Sequence, residues 1–293
     1  MEQKLINAGL VLEGGGMKGM FTAGVLDAFL EEGLLFGHCY GVSAGACALI
    51  SYISGQKGRT KKVWLDFQGD KRFCSFYSLV TTGDLFGARF NYDYIPHKLV
   101  SFDFEAFKAY RGEAYATVTN IKTGEAEYMR LTDMEKDLPV VRASASLPLI
   151  SRNVRIGDGL YLDGGVSDCI PFAKSLADGN ARNVVILTKP AGYVRKPAGM
   201  KLLYKLRYAK YPKVTEDMIE LRHLNYNRTL KEIEAAEAAG EAFVIRPSGD
   251  ITVKRIEKDT RVLSALYEEG YKLGHEKAAE LRKILAGGAH EER

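Results

Sequence analysis

No stretch of about 18 uninterrupted apolar residues occurs in the chain, so no segment is expected to cross a membrane as a helix. The amino terminus carries Glu2 and Lys4 and is broken by Asn7 and Gly9, which leaves no apolar core for a secretory signal. Cysteine is scarce. The four present, Cys39, Cys47, Cys74 and Cys169, show no C-x-x-C spacing and have mostly apolar neighbours, so buried thiols are expected rather than a disulfide frame or a metal site. No cofactor is called for. Tandem repeats and low-complexity tracts are missing, and the net charge is only +4. With no recognisable nucleic-acid module, a nucleic-acid partner is not expected. The expected location is the cytoplasm, with contact to the inner face of the membrane left open; nothing in the sequence sets the oligomeric state.

What is present is an apolar content of 46% over 293 residues, enough for one large core. Apolar runs alternate with helical periodicity, the pattern of an α/β fold. Leu10-Val11-Leu12-Glu13 reads as a buried strand entering Gly14-Gly15-Gly16. Met17, Phe21, Val25, Leu26, Phe29 and Leu30 then recur at helical spacing. Such a glycine turn aims backbone N–H groups into one small volume at a helix N-terminus, where an oxyanion or a phosphate is stabilised. Lys18 strengthens either role.

A second strand, around Tyr40 and Val42, ends in Gly41-Val42-Ser43-Ala44-Gly45 and continues as a helix from Ala44. This is the setting in which G-x-S-x-G presents a strained serine nucleophile. Gly14, Gly16 and Gly19 also fit a dinucleotide-binding fingerprint, but the second strand carries no acid where a ribose would need one. A serine needs a base. Of the late histidines, His223 and His275 lie in charged helical stretches and His290 lies in the polar tail, so all three read as surface residues. Asp163 remains, at the end of a hairpin (Val154-Arg155-Ile156 and Leu160-Tyr161-Leu162, turning at Asp158-Gly159) and followed by Gly164-Gly165. An Asx-turn would account for it equally well on local grounds.

Taken together, Gly14-Gly15-Gly16-Met17-Lys18-Gly19, Gly41-Val42-Ser43-Ala44-Gly45, the small-residue block Ala143-Ser144-Ala145-Ser146-Leu147-Pro148 and Asp163-Gly164-Gly165 resemble the patatin-like phospholipases in content and order. The resemblance covers roughly residues 5–190, and the region from Tyr211-Pro212 onward is similar to a bacterial intracellular subgroup. It implies a three-layer α/β/α sandwich with a mostly parallel sheet and a serine acyl hydrolase acting on lipid esters. Ser43 is then the nucleophile and Asp163 its direct base. The oxyanion is held by amides drawn from Gly14, Gly15, Gly16 and Ala44, with Gly19, Gly41, Gly45, Pro148, Gly164 and Gly165 in support. Lys18 stands where arginine is common in the family and keeps the charge. A lipid- or acyl-binding protein with little turnover is the alternative, and a dinucleotide-binding protein a more distant one. An exposed aspartate, with a pKa of about 3.9, is a weak base toward an alcohol, so Asp163 is expected to be desolvated.

Residues 1–190 read as the catalytic core, with 58–110 a helical, aromatic-rich insertion containing Trp64, Phe67, Phe73, Phe76, Tyr77, Phe86, Phe90, Tyr92 and Tyr94. These aromatics could line an acyl channel; packing in a core is the preferred reading. Residues 191–293 read as a mostly helical region packed on that core, with one further strand at 242–247. Between Tyr193 and Val214 the chain carries seven Lys and Arg residues and no acid. On a helix, Leu202 and Leu206 share a face apart from Lys201 and Lys205. Residues 195–213 could therefore lie on an anionic membrane. A helix docked on the core with solvated charges is preferred, because the net charge is modest.

Overall fold

The computed structural model describes residues 4–287, with side chains to residue 284. Eight strands form one sheet: β1 (Ile6–Leu12), β2 (Phe36–Val42), β3 (Glu113–Asn120), β4 (Ala126–Arg130), β5 (Val154–Ile156), β6 (Gly159–Asp163), β7 (Asn183–Ile186) and β8 (Ala242–Ile245). Their order is β5-β6-β3-β2-β1-β7-β8, with β4 paired to β3 off this path. The run from β3 to β8 is parallel, while the β3–β4, β3–β6 and β5–β6 pairings are antiparallel. The chain steps from β1 to β2 on one side and reaches β7 on the other. The carboxyl ends of these strands therefore frame a crevice at the switch in strand order, where ligands bind in open α/β sheets.

Helices cover both faces: α1 (Gly19–Glu31), α2 (Ala44–Ile53), α3 (Arg59–Asp66), α4 (Phe76–Thr82), α5 (Phe104–Lys108), α6 (Met134–Ser144), α7 (Phe172–Ala177), α8 (Lys201–Arg207), α9 (Pro212–Glu216), α10 (Arg222–Ala238) and α11 (Thr260–Gly287). Strand alternation explains why two helical layers are needed. Leu10, Leu12, Cys39, Val184 and Ile186 point into one core with α1, α2 and α11. Val11, Tyr40, Val185 and Leu187 point into the other, against Phe172 of α7 and Tyr226 and Ile233 of α10. The three-layer α/β/α expectation holds.

The 58–110 stretch holds α3, α4 and α5, with a π-helical segment, Phe90–Leu99, between α4 and α5. A π-helical turn at Asp217–Leu221 separates α9 from α10. β8 pairs in parallel with β7, so residues beyond 190 complete the sheet. α11 lies along α1, where Tyr267 Oη donates to Asp27 Oδ2 (2.7 Å). All four cysteines are free, and burial pushes the Cys47 and Cys74 thiols up to about 11. No helix is long and apolar enough to cross a membrane among the described residues.

α8 docks through Tyr204, joined by Tyr208, against Leu162, Val166 and Met218, whereas Leu202, Leu203 and Leu206 stand 68%, 51% and 68% exposed. Helical spacing distinguishes two faces but not which one meets protein, and the two large tyrosines take the core side.

Candidate active site

Ser43 sits between the end of β2 and the start of α2 with φ 54° and ψ −118°, one of two non-glycine residues at positive φ among the described residues. That conformation is costly for an L-residue and marks a tightly determined turn. Its neighbours explain why they must be glycine. A Cβ on Gly41 would stand 2.7 Å from Ala46 Cα, and one on Gly45 2.7 Å from the Leu12 carbonyl oxygen. The elbow thus packs backbone to backbone against β1. Ser43 N–H donates to Ser144 Oγ (2.8 Å), so the Ala143–Pro148 block reaches the site through Ser144. Pro148 itself lines neither cavity described below.

Ser43 Oγ donates to Asp163 Oδ2 at 2.8 Å. Asp163 ends β6; its N–H donates to Ser146 O (2.9 Å), and Thr119 Oγ1 donates to its carbonyl (2.9 Å). Its second carboxylate oxygen accepts from Gly165 N–H at 2.8 Å. Gly164 lies against the backbone of β3. Asp163 is 2% exposed and Ser43 6%. Burial raises the Asp163 pKa, opposed by the Arg222 charge and by the hydrogen bonds from Ser43 and Gly165.

Among the described residues, no protein acceptor is found for the amides of Gly15, Gly16 and Ala44. Gly14 differs from expectation: its N–H donates to Cys169 O at 3.2 Å, so it is not free for an oxyanion, and Met17 N–H is held by Arg255 O (3.0 Å). Gly19 opens α1 against α2, near Ala44 and Trp64. Glu13, which the sequence reading passed over, anchors the loop. It is fully buried, accepts from Thr188 N–H (2.5 Å) and Tyr226 Oη (2.8 Å), and lies 3.5 Å from Lys189 Nζ. A single acid ending an apolar strand is the signal that could have revealed it.

Two cavities meet at Gly16, Ser43 and Leu147. The first, of about 110 Å³, is apolar and lined by Met17, Ile50, Trp64, Phe73, Phe86 and Tyr92 among others. The aromatics of the 58–110 stretch therefore serve a core and a cavity together, while Phe76 and Tyr77 are exposed. The second, of about 480 Å³, is a polar cleft that includes Asp163, Lys18 and several cations from beyond residue 174. His223 lies in its wall. His275 pairs with Glu31 and Glu32 instead, and His290 lies outside the described residues. No group of three or more residues able to hold a metal occurs among the described residues.

The profile of the patatin-like phospholipases matches residues 10–174, and that of a domain of unknown function, DUF6363, matches residues 211–286. The uncharacterized protein YjjU of Escherichia coli (strain K12) is 31% identical over 195 residues, which cover 66% of this chain and 55% of that protein. The chain thus spans little more than half the length of this curated relative. The crystal structure of VipD from Legionella pneumophila superposes with a TM-score of 0.53 at 14% identity, covering 96% of this chain and 67% of that one; at that identity the likeness concerns the fold. Since the first profile takes in more than half of the sequence, the chain belongs to the patatin-like phospholipase family.

Proposed function

We propose that the protein is a serine acyl hydrolase of lipid carboxylic esters working through a Ser43–Asp163 dyad. The observation that carries this reading is the 2.8 Å hydrogen bond from Ser43 Oγ to a buried carboxylate, at the junction of an apolar cavity with a polar cleft. The acyl chain occupies the apolar cavity and the alcohol portion the cleft. Ser43 Oγ attacks the ester carbonyl while Asp163 takes its proton. The tetrahedral oxyanion is held by amides of Gly15, Gly16 and Ala44. Removing one such donor typically costs about 10²–10³ in rate. Asp163 returns the proton to the leaving alkoxide, and water, deprotonated by Asp163, then releases the fatty acid. Desolvation suits the aspartate to this work by raising its proton affinity.

We place the working surface at an anionic bilayer, on the inner face of the membrane. Leu202, Leu203 and Leu206 are exposed beside Lys205 and Arg207, an apolar face with a cationic flank suited to an interface.

The test is hydrolysis of a p-nitrophenyl ester series of increasing chain length, with fluorophosphonate labelling. Wild type is expected to be labelled and to turn over, and Ser43→Ala and Asp163→Asn to lose turnover. A wild-type protein that neither labels nor turns over, with lipid vesicles present, would leave the acyl-binding reading in its place.

A further inference from the structure

The apolar cavity beside Ser43 has one charged residue in its lining among the described residues, Arg59, and no carboxylate. Arg59 opens α3 and is half-buried. Its donors meet only neutral oxygens among the described residues: Nη2 donates to Val100 O (3.2 Å), Nη1 to Ser51 Oγ (3.4 Å) and Nε to Ser101 O (3.5 Å). Those bonds are long for a charged donor. The guanidinium carbon lies 5.0 Å from the centroid of the Phe102 ring, which also lines the cavity. Burial lowers the Arg59 pKa to about 10, opposed only by the Cys47 thiol. A guanidinium in the wall of an apolar cavity is unfavourable unless an anion joins it.

The helix α2 sets the distance between this cation and the nucleophile. Ser43, Cys47 and Ile50 stand at i, i+4 and i+7, share one face and all line the cavity. Ser51, which Arg59 contacts, continues that face eight residues beyond Ser43, roughly 12 Å along the axis at about 1.5 Å per residue. An extended chain advances about 3.5 Å per three bonds, so roughly ten bonds join the reacting carbonyl to the guanidinium. We infer that Arg59 is a specificity-determining residue that receives an anionic end of the acyl chain, so that the preferred esters carry a carboxylate at the far end of a medium-length acyl group. The inference rests on the acyl-hydrolase reading for the direction of the chain. A guanidinium meets a carboxylate through two parallel N–H donors, and the apolar wall between Ser43 and Arg59 takes up the methylenes. A saturated chain of the same length would instead press its methyl end on the cation and strip it of water without replacement.

Straight-chain dicarboxylic acids of increasing length supply matched probes, since the monomethyl ester carries an anion at its far end and the dimethyl ester carries none. Wild-type kcat/KM is expected to favour the monomethyl ester at least about 10-fold where the chain spans the cavity, on the scale of one charge-assisted hydrogen bond. The preference should vanish for chains too short to reach Arg59. It should fall about 10-fold in Arg59→Met, which keeps an unbranched apolar stem, and recover in part in Arg59→Lys. An arginine that only fastens the 100–102 loop would instead lower both esters together, leaving their ratio unmoved, and that outcome overturns the inference. Equal kcat/KM for the two esters in wild type at every length also overturns it, and that result needs no variant to fold. So does a preference that is flat with length or survives Arg59→Met, because the carboxylate would then sit among the cations of the polar cleft. Calorimetric titration of Ser43→Ala protein with the same pair keeps the two readings apart. Tighter binding of the monomethyl ester without wild-type turnover sinks only the hydrolase, and turnover without preference sinks only the role of Arg59.

Discussion

At Asp163 the same burial acts on both reactivity and stability. Because desolvation raises its folded-state pKa, the base is disarmed as pH falls through that raised value. The kcat/KM profile should therefore show an acidic limb above the ordinary aspartate value of about 3.9; a limb at or below that value would remove desolvation from the account. The stability sign is opposite to that of an ion-paired carboxylate. The contribution linked to the raised pKa is fully present below the unfolded value and is lost as pH rises through the folded one. Asp163→Asn should accordingly gain in Tm over wild type at pH 8, with the gain shrinking toward pH 4, while turnover disappears. Ser144 offers a second test. Its hydroxyl accepts the Ser43 N–H, and Ser144→Ala would leave that buried donor unpaired. A loss of about 1–3 kcal/mol in unfolding free energy and a slower acylation step are expected from denaturant titration and burst kinetics.

At the scale of elements, the C-terminal end of α6 and the start of α8 make different demands. Ala145, just after α6, lines the apolar cavity, and Ala145→Phe should shift the preferred ester toward shorter acyl chains in the p-nitrophenyl series. An unchanged optimum would separate that cavity from acyl binding. On α8, the exposed leucines make no core contact, so Leu202→Glu with Leu206→Glu should leave Tm unaltered. The same pair should weaken binding to anionic vesicles by at least about 10-fold in flotation assays. Helical periodicity in the sequence separated the leucines from Lys201 and Lys205. It could not show that Tyr204 and Tyr208 would claim the protein side, because that choice depends on Leu162, Val166 and Met218, brought from elsewhere in the chain.

For the whole molecule, the family match ends at residue 174, but the fold does not. β8 extends the sheet beside β7, and α11 covers α1. Cutting the chain after residue 190 would expose the β7 edge and the outer face of α1, and would remove Arg195, Arg222 and Arg255 from the cleft. Such a fragment should show no cooperative thermal transition by circular dichroism; a sharp transition would make the later region an accessory rather than a part of the core.

The sequence by itself determined the elements whose signals are local. Glycine turns, apolar alternation and the G-x-S-x-G elbow need only neighbouring residues to be legible, which is why β1, β2, α2 and the β5–β6 hairpin were readable along with Ser43 and Asp163 as candidates. Local signals could not tell whether Asp163 closes a turn on itself or meets Ser43, 120 positions away. The tertiary structure decided that meeting, because β6 pairs with β3, which pairs with β2. It also decided that the Gly14 amide is spent on Cys169 O and that Glu13 ties the glycine loop to Tyr226. The cations scattered from Lys18 to Arg255 likewise become one cleft only once the later helices pack onto the sheet. Charge and burial act through space, so these features exist only in the folded chain.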